Sequence, residues 1–480
     1  MTTEATDILT ARALAATPAV AAAIDTIVGE LTQAQASITA VRPASPDLAE
    51  SYEAFLARQG AAKGRPPLYR YVGSGLGNGP LVQLADGSVK WDLINGIGVH
   101  MFGHGDPDLV ATALRASLGD TVMQGNLQFN ADVIEFAEVL LEQAGKSSGI
   151  KHCFTINAGA LANESALKIC CQKNAPADRV LAFAGAFAGR TMAMIQVGDS
   201  AAGRVGLPNT LQVDYVPFYD ADRPDESTAE ALRAMDEAVE RYPGRYACFA
   251  MELVQGEGGF NVAPREFLET LMQRCRELGI GVWVDEIQTF GRCGEMFYFQ
   301  QLDLGEYVDV VTIGKMSQVC ACLFTADYAP QPGLLSATFV GSTVALQVGR
   351  RMIERLRDGG YWGPDGRIAQ LHTAFRQHMD LLIKDHPEWF GPITLSDGRT
   401  STRLYDGVGG MMRFTPFGGV KQKVLATLRR MFEAGVIGFY CGRGPFHIRF
   451  LPPVGVMEPR HFDDVFTILS AALAQAAEDD

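Results

Sequence analysis

V-D-E-I-Q-T-F-G-R, Val284 to Arg292, and I-G-K, Ile313 to Lys315, decide how this chain is read. Each comes at the end of a short apolar run: G-I-G-V-W-V precedes Asp285, and V-D-V-V-T-I precedes Gly314. Short runs rich in Val and Ile, with helix-like segments between them, predict buried strands of a parallel sheet. Such sheets bind ligands beyond the carboxyl ends of their strands. The chain therefore places a carboxylate, Asp285, and an amine, Lys315, where one cofactor would touch both. A lysine amine can form a Schiff base with pyridoxal phosphate, and an aspartate can keep a pyridine nitrogen protonated.

Outward from this centre, the alternation of strands and helices begins near residue 95 and persists to about 345. Before it, residues 10–40 read as one or two amphipathic helices. A further helix is expected to start at Ser45-Pro46-Asp47, with a serine cap and proline in its first turn, and to run to Gly60. Leu81–Leu84 and Val89–Leu93 flank an Ala-Asp-Gly turn and predict a hairpin. After the alternating region, G-S-T-V-A-L-Q-V-G-R-R-M-I-E-R-L at 341–356 predicts a long helix leading into a mixed C-terminal segment. The expected organisation is α/β. A large domain at 95–345 carries a mostly parallel sheet between helices, and residues 1–94 and 346–480 combine into a smaller α+β domain.

Composition narrows the partners. Hydrophobic residues make up 47% and charged residues 20%, a globular balance, and the net charge of −14 with no basic run argues against nucleic acid. The nine cysteines are odd in number and scattered, as expected of reduced intracellular thiols. Cys170-Cys171 and Cys320-x-Cys322 lack zinc-site spacing, so core packing is expected and no metal site. The first forty residues carry Glu4, Asp7, Asp25 and Glu30 and lack the basic start and unbroken apolar stretch of a signal peptide. No apolar stretch reaches the roughly 18 residues of a membrane span, and a cytoplasmic location is expected.

Two glycine motifs fail in context. G-S-G-L-G-N-G at 73–79 precedes a hairpin, not the helix that a dinucleotide fingerprint requires, and reads as a flexible turn. Gly145-Lys146-Ser147 resembles the end of a phosphate-binding loop, yet Leu140 stands where the first glycine belongs. An ordinary helix-to-strand loop is expected there.

Four more stretches complete the pattern: N-A-G-A-L-A-N-E-S at 157–165, F-A-G-A-F-A-G-R-T at 183–191, E-L-V-Q-G-E-G-G at 252–259 and I-R-F-L-P-P at 448–453. In this order, with D-E-I-Q and I-G-K between them, the chain resembles the class III aminotransferases, fold type I enzymes dependent on pyridoxal 5'-phosphate. The likeness runs from about residue 68 to the C-terminus. The spellings G-A-L-A-N-E at 159–164, Q-Q-L-D at 300–303 and G-K-x-x-Q-V-C at 314–320 look most like L-lysine 6-aminotransferases. The rest looks equally like acetylornithine and ornithine aminotransferases.

The resemblance implies a role for each matching residue. Lys315 would be the Schiff-base lysine and proton carrier, Asp285 the partner of the pyridine nitrogen, and Gln288 a neighbour of the ring hydroxyl. Gly159 and Ala160 occupy the phosphate loop, where backbone N–H groups at a helix start would hold the phosphate. Thr338, in S-A-T-F-V-G, would reach the phosphate of a neighbouring subunit, which implies a homodimer with shared active sites. Phe187 would stack on the ring. Arg190 would bind a substrate carboxylate through its planar fork. Glu257 and Arg449 resemble the glutamate–arginine switch of ω-aminotransferases: Glu257 would neutralise Arg449 while an amine donor binds, and release it for the oxo acid.

This sequence also departs from the family pattern. Ala158, Ala160 and Leu161 replace two hydroxyls and a carboxylate in the phosphate loop, Ala188 replaces a histidine beside the ring, Leu253 replaces a proline, and Gly341-Ser342-Thr343 replaces G-N-P. The expected activity is transfer of an amino group from an ω-amino acid (lysine, ornithine or N-acetylornithine type) to 2-oxoglutarate by a ping-pong cycle. Two other readings stay open: an aminomutase or decarboxylating aminotransferase on the same scaffold, and a lapsed enzyme kept as a binding protein.

Overall fold

The computed structural model describes residues 10–67, 69–121 and 127–479. Helices Thr10–Ala15 and Pro18–Gln35 stand where one or two were expected, but the first buries no side chain and the second only Ile24 and Gln35. The next helix differs from expectation. Ser45 makes no side-chain cap; Pro46–Leu48 forms a 3-10 turn, and the α-helix proper runs Ala49–Lys63 to a left-handed Gly64. The glycine-rich stretch is also not a turn. It forms strand β1 (Gly73–Asn78), paired antiparallel with β2 (Leu81–Leu84), which pairs in turn with β3 (Val89–Asp92). A close approach explains the glycine at 77, since a Cβ there would lie 2.3 Å from His104 Cβ and 2.6 Å from the Leu81 carbonyl oxygen. The register shift between Gly73 and Gly77 lets the strand bend past that contact.

Four strands then alternate with helices: β4 (Ile150–Ile156), β5 (Arg179–Phe183), β6 (Gln212–Val216) and β7 (Tyr246–Met251). A short hairpin, β8 (Val254–Gln255) with β9 (Asn261–Val262), precedes β10 (Gly281–Asp285), β11 (Val310–Ile313) and β12 (Cys320–Thr325). Seven of these form one sheet in the order β4-β12-β11-β10-β7-β5-β6. Only β12 runs against the others, so the sheet is mostly parallel as expected. Every side chain of β7 and β11 is buried, which accounts for their continuous rather than alternating hydrophobicity. The 145–147 motif falls in the connection between helix Ala131–Ala144 and β4. Cys320 and Cys322 are buried free thiols of β12.

The C-terminal third adds hairpins β13 (Ile393–Thr394) with β14 (Thr400–Ser401) and β15 (Tyr405–Val408) with β16 (Met411–Phe414). It also adds β17 (Val436–Ile437), β18 (Phe439–Cys441) and β19 (His447–Phe450). β17 lies parallel to β3, so the two ends of the chain share one sheet. A second sheet has the order β15-β16-β19-β18. One apolar core runs from Ile38 through both regions to Leu473 in the last helix. Among the described residues no helix is long and apolar enough to cross a membrane, and no group of three His, Cys, Asp or Glu is placed to hold a metal.

The expected long helix spans Thr343–Asp358, and Ser342 caps it by accepting the Ala345 N–H at 3.2 Å. It packs on the turn Lys315–Ser317 at Gly349, where a Cβ would stand 2.2 Å from the Ser317 carbonyl oxygen. Helix and turn therefore touch backbone to backbone, and this contact supports the segment that bears Lys315. Gly349→Ala is expected to cost about 1–3 kcal/mol as an overpacked contact, read as a lower urea midpoint at unchanged slope. An unchanged midpoint would mean that the helix yields freely and does not brace the lysine.

Candidate active site

β10 and β11 pair in parallel with Asp285 opposite Thr312, so Asp285 and the Gly314-Lys315 step come out on the same rim of the sheet. The next strand, β7, ends at Met251 and delivers Glu252 to that rim. β4 leads into the helix Gly159–Lys173, whose first turn faces the same space. The result is a cavity of about 290 Å³ lined by Gly159, Ala160, Phe187, Arg190, Glu257, Asp285, Gln288 and Lys315, together with Asn163, Ala188 and Glu252. Of the residues singled out in the sequence, two stand apart. Arg449 lies behind Glu257, and Thr338 is exposed outside the cavity of its own chain.

The polar groups here are held firmly. Asp285 accepts the Ile287 N–H at 2.9 Å and the Asn163 side-chain amide at 2.7 Å. Burial raises its pKa, opposed by those two bonds and by the Lys315 charge. Lys315 is shifted below its ordinary value by burial, with Arg292 and Arg449 acting in the same direction and Asp285 and Glu257 against it. An amine depressed in this way is more readily a base. Its backbone sits at φ +56°, in the left-handed region that a non-glycine residue enters at a cost of roughly 1–3 kcal/mol. Strain of this kind persists where the surroundings over-determine it, here the cap of β11 and the packed helix below.

Two residues that the sequence reading left without roles are central to the geometry. Asn163 binds Asp285 and also donates to the Ala188 carbonyl at 2.8 Å, tying the helix to the Phe187 loop. The available signal was a lone amide among buried small residues on the inner face of that helix. Glu252 accepts the Phe187 N–H at 2.9 Å and the Gly256 N–H at 3.0 Å. Its pKa is pushed up to about 8, mainly by burial and then by the Asp285 carboxylate nearby. The strand-end rule that selected Asp285 applies equally to Glu252. Below the rim, Glu286 is fully buried, accepts the N–H groups of Tyr298 and Phe299 at 2.8 Å, and is pushed up to about 7 by burial.

At the mouth, Arg190 is exposed, with its guanidinium 5.6 Å from the centre of the Phe187 ring. Thr191 donates to Glu164 and fastens this loop to the helix. Deeper in, Arg449 is wholly buried; it donates to Glu257 at 2.6 Å and lies 5.4 Å from the ring centres of both Phe260 and Phe439. The helix Gly159–Lys173 begins at Ala158 with no side-chain cap, which leaves first-turn N–H groups available to an anion. Leu161 is 39% exposed and takes no part in the cavity wall.

The family model for class-III aminotransferases matches residues 74–473. The chain belongs to this family. It is therefore a pyridoxal-phosphate-dependent aminotransferase of fold type I. The acetylornithine aminotransferase of Agrobacterium fabrum is 29% identical over 65% of this chain and 75% of its own length. The diaminobutyrate–2-oxoglutarate transaminase of Wolinella succinogenes is 26% identical over 78% and 84%. Among solved structures, the lysine aminotransferase of M. tuberculosis superposes with a TM-score of 0.74 at 23% identity, covering 88% of this chain and 99% of that one. The ornithine aminotransferase of Toxoplasma gondii gives 0.74 at 22%, covering 89% and 96%.

The residues present fit the cofactor that this family uses. A buried amine, a buried carboxylate held by an amide, an uncapped helix start and a partnerless amide oxygen on Gln288 all converge on one cavity. The departures at Ala158 and Ala160 remove hydroxyl donors, each worth roughly 1.5–3 kcal/mol when the acceptor is charged, but they spare the backbone donors. Leu253 is fully buried in the core, as a structural replacement should be.

Glu252 yields a pH test. Its folded pKa, about 8, lies above its ordinary 4.5, so between these values the folded state binds the extra proton and stability falls as pH rises. In cofactor-free protein, Glu252→Gln should gain on the wild type across that window, as measured by urea unfolding at pH 5 and pH 8. A constant difference would mean that Glu252 stays ionised.

Proposed function

We propose that this enzyme moves an amino group from an ω-amino acid of the lysine, ornithine or N-acetylornithine type to 2-oxoglutarate in a ping-pong cycle. The observation that carries this reading is the Arg449–Glu257 pair, 2.6 Å across, with Arg449 buried and Glu257 on the cavity wall. One pocket must accept two substrates that differ in charge near the reacting carbon. With Glu257 bound to Arg449 the pair is neutral as a whole, and a donor presenting an amine at that end meets no excess charge. An incoming α-carboxylate would take the guanidinium in place of Glu257, because a buried arginine left without a partner is costly. The names of the relatives, which include a 2-oxoglutarate transaminase and several acetylornithine aminotransferases, support the same substrate class.

Each residue has its task in this reading. Asp285 would hold the pyridine nitrogen, Gln288 the ring hydroxyl, Phe187 one ring face, and the Gly159 and Ala160 N–H groups the phosphate. Bound there, pyridoxal phosphate supplies the electron sink that lets nitrogen change carriers. Lys315 Nζ, whose pKa burial lowers, takes the proton from the donor's amine-bearing carbon and returns it on the other side of the transfer. Arg190, exposed at the mouth, binds the donor's distal carboxylate bidentately. Asn163 keeps the Asp285 carboxylate aimed, and Glu252 keeps the Phe187 backbone in place. Thr338 would serve the phosphate of a second copy of the chain. The exposure of Thr338 outside the cavity of its own chain supports such a homodimer. Residues 1–94, 95–345 and 346–480 act on this view as two domains of a cytoplasmic protein, with the cofactor pocket in the larger and Arg449 supplied by the smaller.

The two half-reactions separate these roles. On cofactor-loaded protein without oxo acid, L-lysine, L-ornithine and N-acetyl-L-ornithine are added singly and the visible absorption band is followed. At least one should bleach it, and 2-oxoglutarate should restore it. Arg449→Ala should slow the 2-oxoglutarate half-reaction by about 10- to 150-fold, the worth of one charged hydrogen bond at about 1.5–3 kcal/mol, and affect the donor half-reaction much less. Equal losses in both halves would remove the switch. No bleaching by any ω-amino acid would remove the substrate class.

A further inference from the structure

A second cavity, of about 380 Å³, lies behind the hairpin that carries Glu257. It stands beyond the carboxyl ends of β5 and β6, where Gly185 and the loop Phe218–Asp222 leave the sheet, and is closed on the other side by β15, β16 and β19. Ligands of parallel sheets sit in such positions, yet none of the residues assigned to the aminotransferase pocket faces it. Its lining has four arginines and four aspartates, so the formal charges cancel, but the pairing is uneven. Arg399 holds two carboxylates, Asp220 at 2.7 Å and Asp397 at 2.6 Å. Arg403 takes Asp406 at 2.6 Å.

Arg413 and Arg443 are left, with Asp222, which favours the Arg413 charge but makes no ion pair with it. Arg413 is 94% buried by its 6% exposure, its Nε has no partner, and its other contacts are long: Asp406 at 3.5 Å, His447 Nδ1 at 3.3 Å and Thr415 Oγ1 at 3.4 Å. Asp406 is already engaged by Arg403 and by the Gly407 N–H at 2.8 Å. His447 offers no counter-charge. Thr415 lies 2.7 Å from its Nδ1, and burial with the Arg413 charge keeps the ring neutral well below its ordinary pKa. Arg443 is exposed at the rim and bonds only the Ala186 carbonyl, at 3.3 Å; among the described residues no carboxylate lies within ion-pair distance of it. A buried guanidinium without a strong partner is among the costliest arrangements in a protein interior. Such a group, with a second guanidinium unpaired by any carboxylate at the rim of the same open cavity, makes a receptor for an anion with two or more oxygens.

We propose that this cavity is a second binding site, which takes a small oxyanion (a carboxylate or a phosphate group) between Arg413 and Arg443. The anion would give both guanidiniums the direct partner that Asp406, engaged by Arg403, does not supply. It would also sit against Gly258, next to Glu257, and against the loop that ends in Phe187, so the catalytic pocket shares a wall with it.

Calorimetric titration of the cofactor-loaded enzyme with inorganic phosphate and, separately, with succinate tests the site. The probes distinguish the two sources of the oxyanion, and three variants distinguish the two cavities. Saturable binding of either probe should persist in Arg190→Ala and weaken by at least about tenfold in Arg443→Ala. Arg443 is exposed, so that variant should keep the wild-type unfolding midpoint; Arg413→Met, if it folds, should show the same loss. Binding that disappears in Arg190→Ala but survives in Arg443→Ala would place the anion in the catalytic pocket and overturn the proposal. So would equal binding in every variant, or no saturable binding of either probe.

Discussion

The parallel pairing of β10 with β11 is the constraint on which the rest of the site depends. With Asp285 opposite Thr312, the carboxylate and Lys315 share one edge of the sheet, and a slip of one residue would turn both strands' side chains to opposite faces. The bonds that Asp285 accepts from the Ile287 N–H and the Asn163 amide hold it at that edge. The same edge receives Glu252 from β7 and the start of the Gly159–Lys173 helix after β4. Four separate segments therefore meet because their strands end together. The low dielectric of that meeting point raises the carboxylates and lowers the amine.

What the sequence made legible follows from this. β10 and β11 are uninterrupted apolar runs, each closed by a group that would be expensive to bury without purpose, and such runs can be read without neighbours. Asn163 was not legible as a partner of Asp285, because 122 positions separate them and only the sheet order brings them together. β1 was misread for a related reason. Its Gly77 marks the passage of His104, a contact from another part of the chain, and glycine in isolation reads as a turn. The uneven pairing in the second cavity was invisible in principle, since Arg413 and Arg443 meet only through the register of β16, β19 and β18.

The altered phosphate loop illustrates which interactions a fold can spare. Ala158 and Ala160 bring no hydroxyl donor and Leu161 no carboxylate, yet the helix start they occupy keeps its backbone N–H groups and the positive end of its dipole. Those donors come with the helix and do not depend on side-chain identity. Ala188 follows the same logic. Its side chain is small, but its carbonyl still anchors Asn163 at 2.8 Å and through it the aspartate. Positions whose backbone does the holding tolerate substitution; Lys315, Asp285 and Arg449, whose side chains do, are intact.

Arg449 also explains why the proposed exchange of partners must be concerted. Across β16 and β19, Arg413 lies directly opposite Arg449, and Asp406 on β15 lies opposite Arg413. Two like charges opposed in a sheet repel, so each needs a counter-charge on its outer side: Asp406 for Arg413, Glu257 for Arg449. The rings of Phe260 and Phe439 enclose the Arg449 guanidinium and keep water from replacing a lost carboxylate. Glu257 can therefore leave at low cost only as another carboxylate arrives. On the proposed reading, such a pocket would discriminate between donor and acceptor by charge at the moment of binding.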